Sequence, residues 1–540
     1  MAPKKEFALY IEAADSVVAN VPTVKKVINY MYLMGYNKLY LGCADTIEVE
    51  GEPYFGYMRG RYTPEQIREI DAYCIEKDIT FVLNTQTLAH QRVIPAYEKY
   101  KKIMDNFDTL LCDDDNTYEF IEKIIKTIAE NTSSKIIHLG MDEAFLLGAG
   151  NYLKKNGYVN KREIFLRHLK RVCGIAEKYG LECEIWGDMF YHAINSVFTT
   201  EDEKQAAIQY YKSQLPSNVK LVYWNYSNKD KASIEDGIDK HKLITDKLAY
   251  AATLYRWIGY APDNQLSLRN AKVICDACDE KGVNELMLTV WADSGGDSSL
   301  FSILPAMYVY SEIYYKRATS IKDVDKERFK DIVGIGFDDF LYIDKLNKPY
   351  NKKYESVNNK SFLYLYNDPF IGLFDSMLTD GLSDAYKRIA KKLKSIDGKE
   401  LSYLFNTLAN LALVLADKCD LGKNLRKAYN DKDLDKLYLI ANKVIKRLIK
   451  NLKELSNSLE VQWEIENKPF GLEIQTARLG ALILRLEYVQ KTVNRYLKGQ
   501  IESIAELEEK QLPFGYRLSA TEDDYFLMCW INIFTSSVCH

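Results

Sequence analysis

The chain has 540 residues, 47% of them hydrophobic, and a net charge of −4 at pH 7. That length supports a large core and more than one domain, and the mild acidic balance excludes the basic footprint of a nucleic-acid binder. No apolar run reaches the roughly 18 residues that a membrane span needs, and no signal-peptide core follows Lys4 and Lys5, so a cytoplasmic globular protein is expected.

From residue 7 to about 305, short apolar runs alternate with amphipathic helical stretches. The runs are 7–11, 38–43, 79–84, 135–140, 182–187, 220–225, 248–253 and 285–291. Each is followed by a helix candidate, and eight such units over about 300 residues predict a (β/α)8 barrel. Helix punctuation supports the division. Pro22 opens the first helix and Gly35 closes it; Thr63-Pro64-Glu65-Gln66 reads as a capping box; 161–179 runs at helical period up to Gly180. Beyond about residue 320 the strand pattern stops. Long amphipathic stretches such as 434–459 and 471–497 predict a helical C-terminal domain, giving a barrel over 1–320 and a helical domain over 321–540. Helices of this kind also suit burial of one face on a second copy, so a homodimer is an expectation.

Barrel sites form at the C-terminal ends of the strands. The residues expected there are Asp45 after the second run and His90 after the third. Asp142-Glu143 follows the fourth, Trp186-Gly187-Asp188 closes the fifth, and Tyr226 follows the sixth. Trp257 follows the seventh, and Trp291-Ala292-Asp293 the eighth. Four of the six tryptophans, Trp186, Trp224, Trp257 and Trp291, fall at these ends. Aromatic faces stack on the apolar CH face of a pyranose, and carboxylates accept from its hydroxyls, so this convergence describes a sugar pocket.

Two uses of Asp142-Glu143 stay open on the residues alone. Acids are favourable at a helix N-terminus, where they would simply cap. They also suit glycoside cleavage. There, two carboxylates flank the bond, or one protonates the leaving oxygen while its neighbour holds a substrate group that attacks the anomeric carbon. Adjacent residues leaving one strand usually point different ways, which favours the second division of labour. The cysteines read as reduced, mostly buried thiols; Cys275-x-x-Cys278 has no second pair, and the six histidines show no metal spacing. No metal and no cofactor is expected.

His138-Leu139-Gly140-Met141-Asp142-Glu143 resembles the His-x-Gly-x-Asp-Glu signature of glycoside hydrolase family 20, the β-N-acetylhexosaminidases. The stretch from Glu52 to Tyr62, Gln86-Thr87-Leu88-Ala89-His90, Trp186-Gly187-Asp188-Met189-Phe190 and Asn467-Lys468-Pro469-Phe470-Gly471 resemble an intracellular bacterial subgroup that starts in the barrel and ends in a helical domain. The resemblance implies release of terminal GlcNAc or GalNAc with retention, through an oxazoline or oxazolinium intermediate. Glu143 would be the general acid and then base. Asp142 would orient the substrate's 2-acetamido group and Tyr226 would donate to its oxygen. Trp186, Trp257 and Trp291 would wall the pocket, Asp293 would accept from a sugar hydroxyl, and His90 would support the acids. Asp45 and Asp188 complete the expected substrate-binding set. The partner implied is a carbohydrate ending in an N-acetylhexosamine.

Some positions depart from that pattern. The arginine that family members usually carry after the first strand is replaced by Glu12-Ala13-Ala14-Asp15-Ser16, Ala44 replaces an acid, and the last-strand loop reads Ser294-Gly295-Gly296-Asp297-Ser298. Arg59, Arg61 and Arg256 are candidate replacement cations. The departures predict altered contacts to the far side of the sugar. They leave open a glycosidase using two separated carboxylates, with Asp45, Asp188 or Asp293 as the second acid, and a non-catalytic carbohydrate-binding protein.

Overall fold

A computed structural model of the chain describes residues 5–194, 200–227, 230–293, 295–350, 357–512 and 526–537. It divides into two compact units. The first comprises Met1–Leu254, Asn270–Trp291 and Val309–Val324; the second comprises Tyr255–Arg269, Ala292–Tyr308 and Asp325–His540.

Eight strands organise the first unit. They are β1 (Glu6–Glu12), β2 (Lys38–Gly42), β3 (Thr80–Asn84), β4 (Ile136–His138), β5 (Glu182–Trp186), β6 (Val219–Trp224), β7 (Leu248–Thr253) and β8 (Glu285–Val290). Every neighbouring pair is parallel and β8 returns to β1, so the sheet closes into a barrel. All eight expected runs are strands. Such sheets are covered on both faces, which is why their strands read as continuous apolar runs.

Strand periodicity layers the barrel interior. Lys38 and Tyr40 share one face of β2, Glu184 and Trp186 one face of β5, Lys220 and Val222 one face of β6, and Glu285 and Met287 one face of β8. The lower layer is ionic. The Lys38 ammonium lies 3.0 Å from Glu184, 3.1 Å from Glu285 and 3.3 Å from Glu6, and Lys220 lies 2.6 Å from Glu285 and 3.1 Å from Glu184. The Tyr40 hydroxyl sits between Glu184 and Glu285. Burial pushes the Glu184 carboxyl up, but the two lysines outweigh it and hold it below the ordinary range. The layer above is apolar and aromatic: Tyr10, Val82, Trp186, Val222, Ala249, Ala251 and Met287 pack together, with Trp224 and Trp291 against them.

The helices start and stop where their sequences direct. In α1 (Val21–Met34) the Asn20 side chain accepts from Thr23 N–H, and Gly35 ends the helix at φ +89°. In α2 (Pro64–Glu76) the Thr63–Gln66 capping box is complete. Next come α3 (Asp115–Asn131), the short α4 (Asn151–Asn156), α5 (Lys161–Lys178), which starts on the Asn160 cap, and α6 (Asp188–Ile194).

The second unit is largely helical, with long helices over Leu382–Lys394, Ser402–Lys418, Ile445–Glu466 and Leu472–Leu497. The helix expected over 434–459 is not continuous: Leu434–Leu439 leads into a π-helical turn, Ile440–Val444, before Ile445–Glu466. Inside that turn Asn442 donates to the Tyr438 carbonyl and to Asn494 Oδ1 at 2.9 Å, a polar link to the neighbouring helix. Among the described residues no helix is long and apolar enough to cross a membrane. All nine described cysteines are free thiols, and all but Cys529 are buried; Cys539 lies outside the described residues. Burial raises the Cys275 and Cys278 thiols, which fits inert core residues.

Candidate active site

The site begins where β4 stops. After His138 the main chain enters the left-handed region three times in four residues, at Gly140 (φ +70°), Met141 (φ +68°) and Glu143 (φ +50°). Gly140 has a steric reason to be glycine: a Cβ there would stand 2.0 Å from Gln86 Oε1. For Met141 and Glu143 the conformation is strained, and neighbouring contacts hold it. Gly140 N–H donates to His138 Nδ1 (3.1 Å), Trp186 N–H donates to the Gly140 carbonyl (3.1 Å), and Glu143 N–H donates to Asp188 Oδ2 (2.9 Å). The Asn84 amide also meets His138 Nδ1 at 2.7 Å, and Tyr10 O–H donates to Asn84 Oδ1. His138 is therefore neutral with its proton on Nε2, and burial lowers its pKa to about 4.

This path turns two adjacent carboxylates toward one imidazole. His90, itself at φ +61°, places Nε2 3.2 Å from Asp142 Oδ2 and 3.7 Å from Glu143 Oε2. Gln86 donates to the other Asp142 oxygen at 3.0 Å. The expectation that adjacent residues diverge fails here because the left-handed turns re-aim them. The contacts separate the groups electrostatically. Burial alone would lower the His90 pKa, but contact with Asp142 and its charge raise it to about 9. Burial pushes Asp142 up, and His90 with Gln86 outweighs that, holding the carboxyl below its ordinary range. Burial and the Asp142 charge raise Glu143. The arrangement favours the imidazolium at His90 and the carboxylate at Asp142, while Glu143 is raised against the opposing His90 and Arg92 charges. Glu143 is also the most open of the three, its side chain 40% exposed against 14% for Asp142. The His90, Asp142 and Glu143 atoms lie within 4.8 Å of one another.

Aromatic rings lie beside this cluster. Trp186 is fully buried, 4.6 Å from His138 and 5.6 Å from both Tyr10 and Trp291, so it forms a floor. Tyr226 takes a hydrogen bond from Trp291 Nε1 (2.8 Å) and one from Thr289 Oγ1 (3.3 Å), and its ring lies 5.4 Å from Trp224.

Asp188 is buried and accepts from the Glu143 main chain; burial and the Asp142 charge raise its pKa to about 7. Asp45 is buried against Arg59, whose Nε lies 3.0 Å from it and whose Nη1 donates to the Asp15 carbonyl at 2.7 Å. Arg61 instead donates to the Pro53 and Phe55 carbonyls of its own loop. Trp257 and Asp293 belong to the second unit. There the Trp257 ring lies 5.6 Å from Tyr255 and from Phe526, Asp293 is exposed, and Arg256 donates to the Ser298 carbonyl. Ser294 lies outside the described residues. The sequence assigns no role to Gln86 or Asn84, the former visible only in the Gln86-to-His90 motif, and it names Asp45 and Arg59 without pairing them.

With this geometry described, comparison with known proteins assigns the class. Residues 18–240 match the catalytic domain of glycosyl hydrolase family 20, and residues 338–525 match the glycoside hydrolase 20C C-terminal domain. The chain belongs to glycoside hydrolase family 20. Comparison with curated proteins gives no match. Among solved structures, a β-N-acetylhexosaminidase from Bacteroides fragilis is 14% identical over 58% of this chain and 66% of its own, with a TM-score of 0.45. An exo-β-N-acetylglucosaminidase from Vibrio harveyi, solved with N-acetylglucosamine, is 12% identical over 63% of this chain and 58% of its own, at 0.45. A chitobiase from Flavobacterium johnsoniae is 15% identical over 94% of this chain and 74% of its own, at 0.45. The chain thus spans less than two thirds of the first two structures it resembles.

Proposed function

We propose that the protein is a retaining exo-β-N-acetylhexosaminidase that uses the substrate's own acetamido group as nucleophile. The observation that carries this reading is the single His90 nitrogen facing both Asp142 and Glu143. It keeps Asp142 ionised, while burial and the Asp142 charge raise Glu143 against the imidazolium, the ordering that substrate assistance needs. Of the candidate second acids, Asp45 is committed to Arg59 and Asp188 to the Glu143 main chain, which leaves the exposed Asp293 for a mechanism with two separated carboxylates.

The steps follow from these charges. The terminal sugar lies over the Trp291 ring, against which the buried Trp186 packs. Asp142 accepts from the acetamido N–H, which makes the acetamido oxygen more nucleophilic, and Tyr226 O–H hydrogen-bonds that oxygen. The oxygen attacks the anomeric carbon as the glycosidic bond breaks, and Glu143 gives its proton to the leaving oxygen. The resulting oxazolinium ion is opened by water, whose proton returns to Glu143, so configuration is retained. Arg59, held beside Asp15 and Asp45, stands in for the absent first-strand arginine toward the sugar hydroxyls. The catalytic barrel spans 1–320 and the helical domain 321–540; for Trp257 and Asp293 a role rests on the family resemblance.

The test is hydrolysis of para-nitrophenyl β-GlcNAc and β-GalNAc beside the β-glucoside and β-galactoside. Turnover confined to the N-acetylated pair and abolished by Glu143→Gln supports the reading. Turnover of the plain glycosides, or a covalent sugar–enzyme adduct, overturns it.

A further inference from the structure

The helix Leu472–Leu497 of the second unit has two organised faces. Its inner side buries Leu479, Leu482, Leu486, Val489 and Val493. On the opposite side residues recur every three or four positions, which keeps them in one line along the helix. The line starts at the exposed Glu473, whose carboxylate accepts from Gly471 N–H (2.8 Å). It passes Ala477, Gly480, Leu484 and Tyr488, and it ends at the exposed Lys491 and Arg495. Leu484 is 67% exposed and Tyr488 48%. At 1.5 Å per residue the line is about 33 Å long.

Gly480 lies in the interior of this helix, where glycine is among the least favourable residues. The chain's own packing gives no reason for it, because a Cβ there would meet nothing within 4 Å. Gly174 in α5 is as unencumbered, but it shares its face with the exposed Lys170, Arg171 and Lys178, a solvated surface. Gly480 instead lies among Ala477, Ala481 and Leu484. Four residues spaced in this way, at i, i+3, i+4 and i+7, bound the hole that receives a side chain from a facing helix. Three of the four are small, so the hole is wide enough for a ring.

We infer that this face is the contact between two copies of the chain, packed antiparallel about a two-fold axis at Leu484. The order of residues along the line carries the inference, because the line complements itself. Leu484 is midway between Glu473 and Arg495. Antiparallel pairing about it sets the Glu473 carboxylate of one copy beside the Arg495 guanidinium of the other, at both ends. It brings the Tyr488 ring of each copy to the hole around Gly480 of the other, and Leu484 meets Leu484 on the axis. The helix dipoles also run in opposite directions, which is favourable. A parallel pairing would instead set Glu473 against Glu473 and Arg495 against Arg495. A two-fold contact uses the same patch on both subunits and so demands a patch that matches itself; a partner of other sequence makes no such demand. The inference is independent of the catalytic reading.

The experiment is sedimentation velocity on the full chain over about 1 to 100 μM, the range in which a modest interface associates. Wild type should form a dimer of twice the 62.4 kDa chain mass. Leu484→Asp sets two carboxylates together on the axis and should weaken association by about 100-fold or more. Gly480→Leu fills the hole and should weaken it by about 10-fold or more. Both positions are open in the single chain, so neither variant should lower the unfolding temperature at a dilution where only monomer is present. The charged ends give a test that does not depend on packing. Glu473→Arg and Arg495→Glu should each weaken association by roughly 3- to 10-fold, and the two in one chain should restore it to within about 3-fold of wild type. A double reversal that fails to recover overturns the antiparallel register and the proposal with it. A dimer indifferent to Leu484→Asp forms through another face and overturns it as well. A wild-type chain still monomeric at the highest concentration also overturns it and assigns the face to a partner of other sequence.

Discussion

Replacing His90 by asparagine or alanine removes the cation that keeps Asp142 ionised. The size of its effect is set by its own titration. Contact with Asp142 raises the His90 pKa from 6.5 to about 9 although burial opposes the rise. At 1.36 kcal/mol per unit that net shift is about 3 kcal/mol, and removing one partner of a buried pair is estimated at roughly 3–5 kcal/mol. The coupling is reciprocal, so the Asp142 pKa should rise in the variant. Glu143, 3.7 Å away rather than 3.2 Å and more exposed, should rise less. The pH profile of kcat/KM for an N-acetylated aryl glycoside reads both groups. Its acid limb requires ionised Asp142 and its alkaline limb protonated Glu143. The variant should show the acid limb displaced upward, a narrower bell, and a neutral-pH rate lower by about 100-fold. The pair also contributes to stability. Its contribution is fully present below the unfolded His pKa of 6.5 and is lost as pH rises through about 9, so wild type should lose stability across that window and the variant should not. An acid limb that stays in place refutes the assignment of His90 as the group that keeps Asp142 ionised.

Asp188→Asn keeps an oxygen acceptor for Glu143 N–H while removing a carboxyl whose pKa is raised from 3.8 to about 7. Between those values the folded state binds more protons than the unfolded state, so the native acid costs stability as pH rises through the window. The variant should match wild type in thermal unfolding near pH 4 and exceed it near pH 8, whereas Asp188→Ala should lose about tenfold in kcat through the released Glu143 turn. In the barrel interior, Lys38→Met leaves Glu184 and Glu285 with Lys220 as their remaining lysine; urea unfolding should show a loss of roughly 3–5 kcal/mol, and Lys38→Met with Glu184→Leu should recover part of it.

The barrel was legible because a parallel strand buried on both faces leaves an apolar run, and all eight runs carried that mark. The aromatic and acidic strand ends were legible from the residues directly after each run. The turn that makes Asp142 and Glu143 neighbours of one imidazole was not. Left-handed φ at Gly140 can be guessed from glycine, but at Glu143 it is held by a contact distant in sequence, Asp188 at the start of α6. The same limit hid Asp188, whose place in Trp186-Gly187-Asp188 suggested a sugar contact while its carboxyl serves the main chain of the adjacent loop. Arg59 was one of three candidate arginines, and only tertiary contacts place it beside Asp15 and Asp45. The π-helical turn at Ile440–Val444 left no mark because the residues around it keep an ordinary amphipathic pattern.

The central claim is that the acetamido oxygen of the substrate attacks the anomeric carbon while Asp142 holds the group. Its most direct test is a series of aryl β-GlcNAc substrates bearing acetyl, fluoroacetyl, difluoroacetyl and trifluoroacetyl groups on nitrogen. Each fluorine weakens that oxygen as a nucleophile without changing the leaving group. The account predicts kcat/KM falling steeply and steadily along the series in wild type, with Asp142→Asn slow on every member. Rates that ignore the fluorines would contradict it and return the nucleophile to a side chain of the protein.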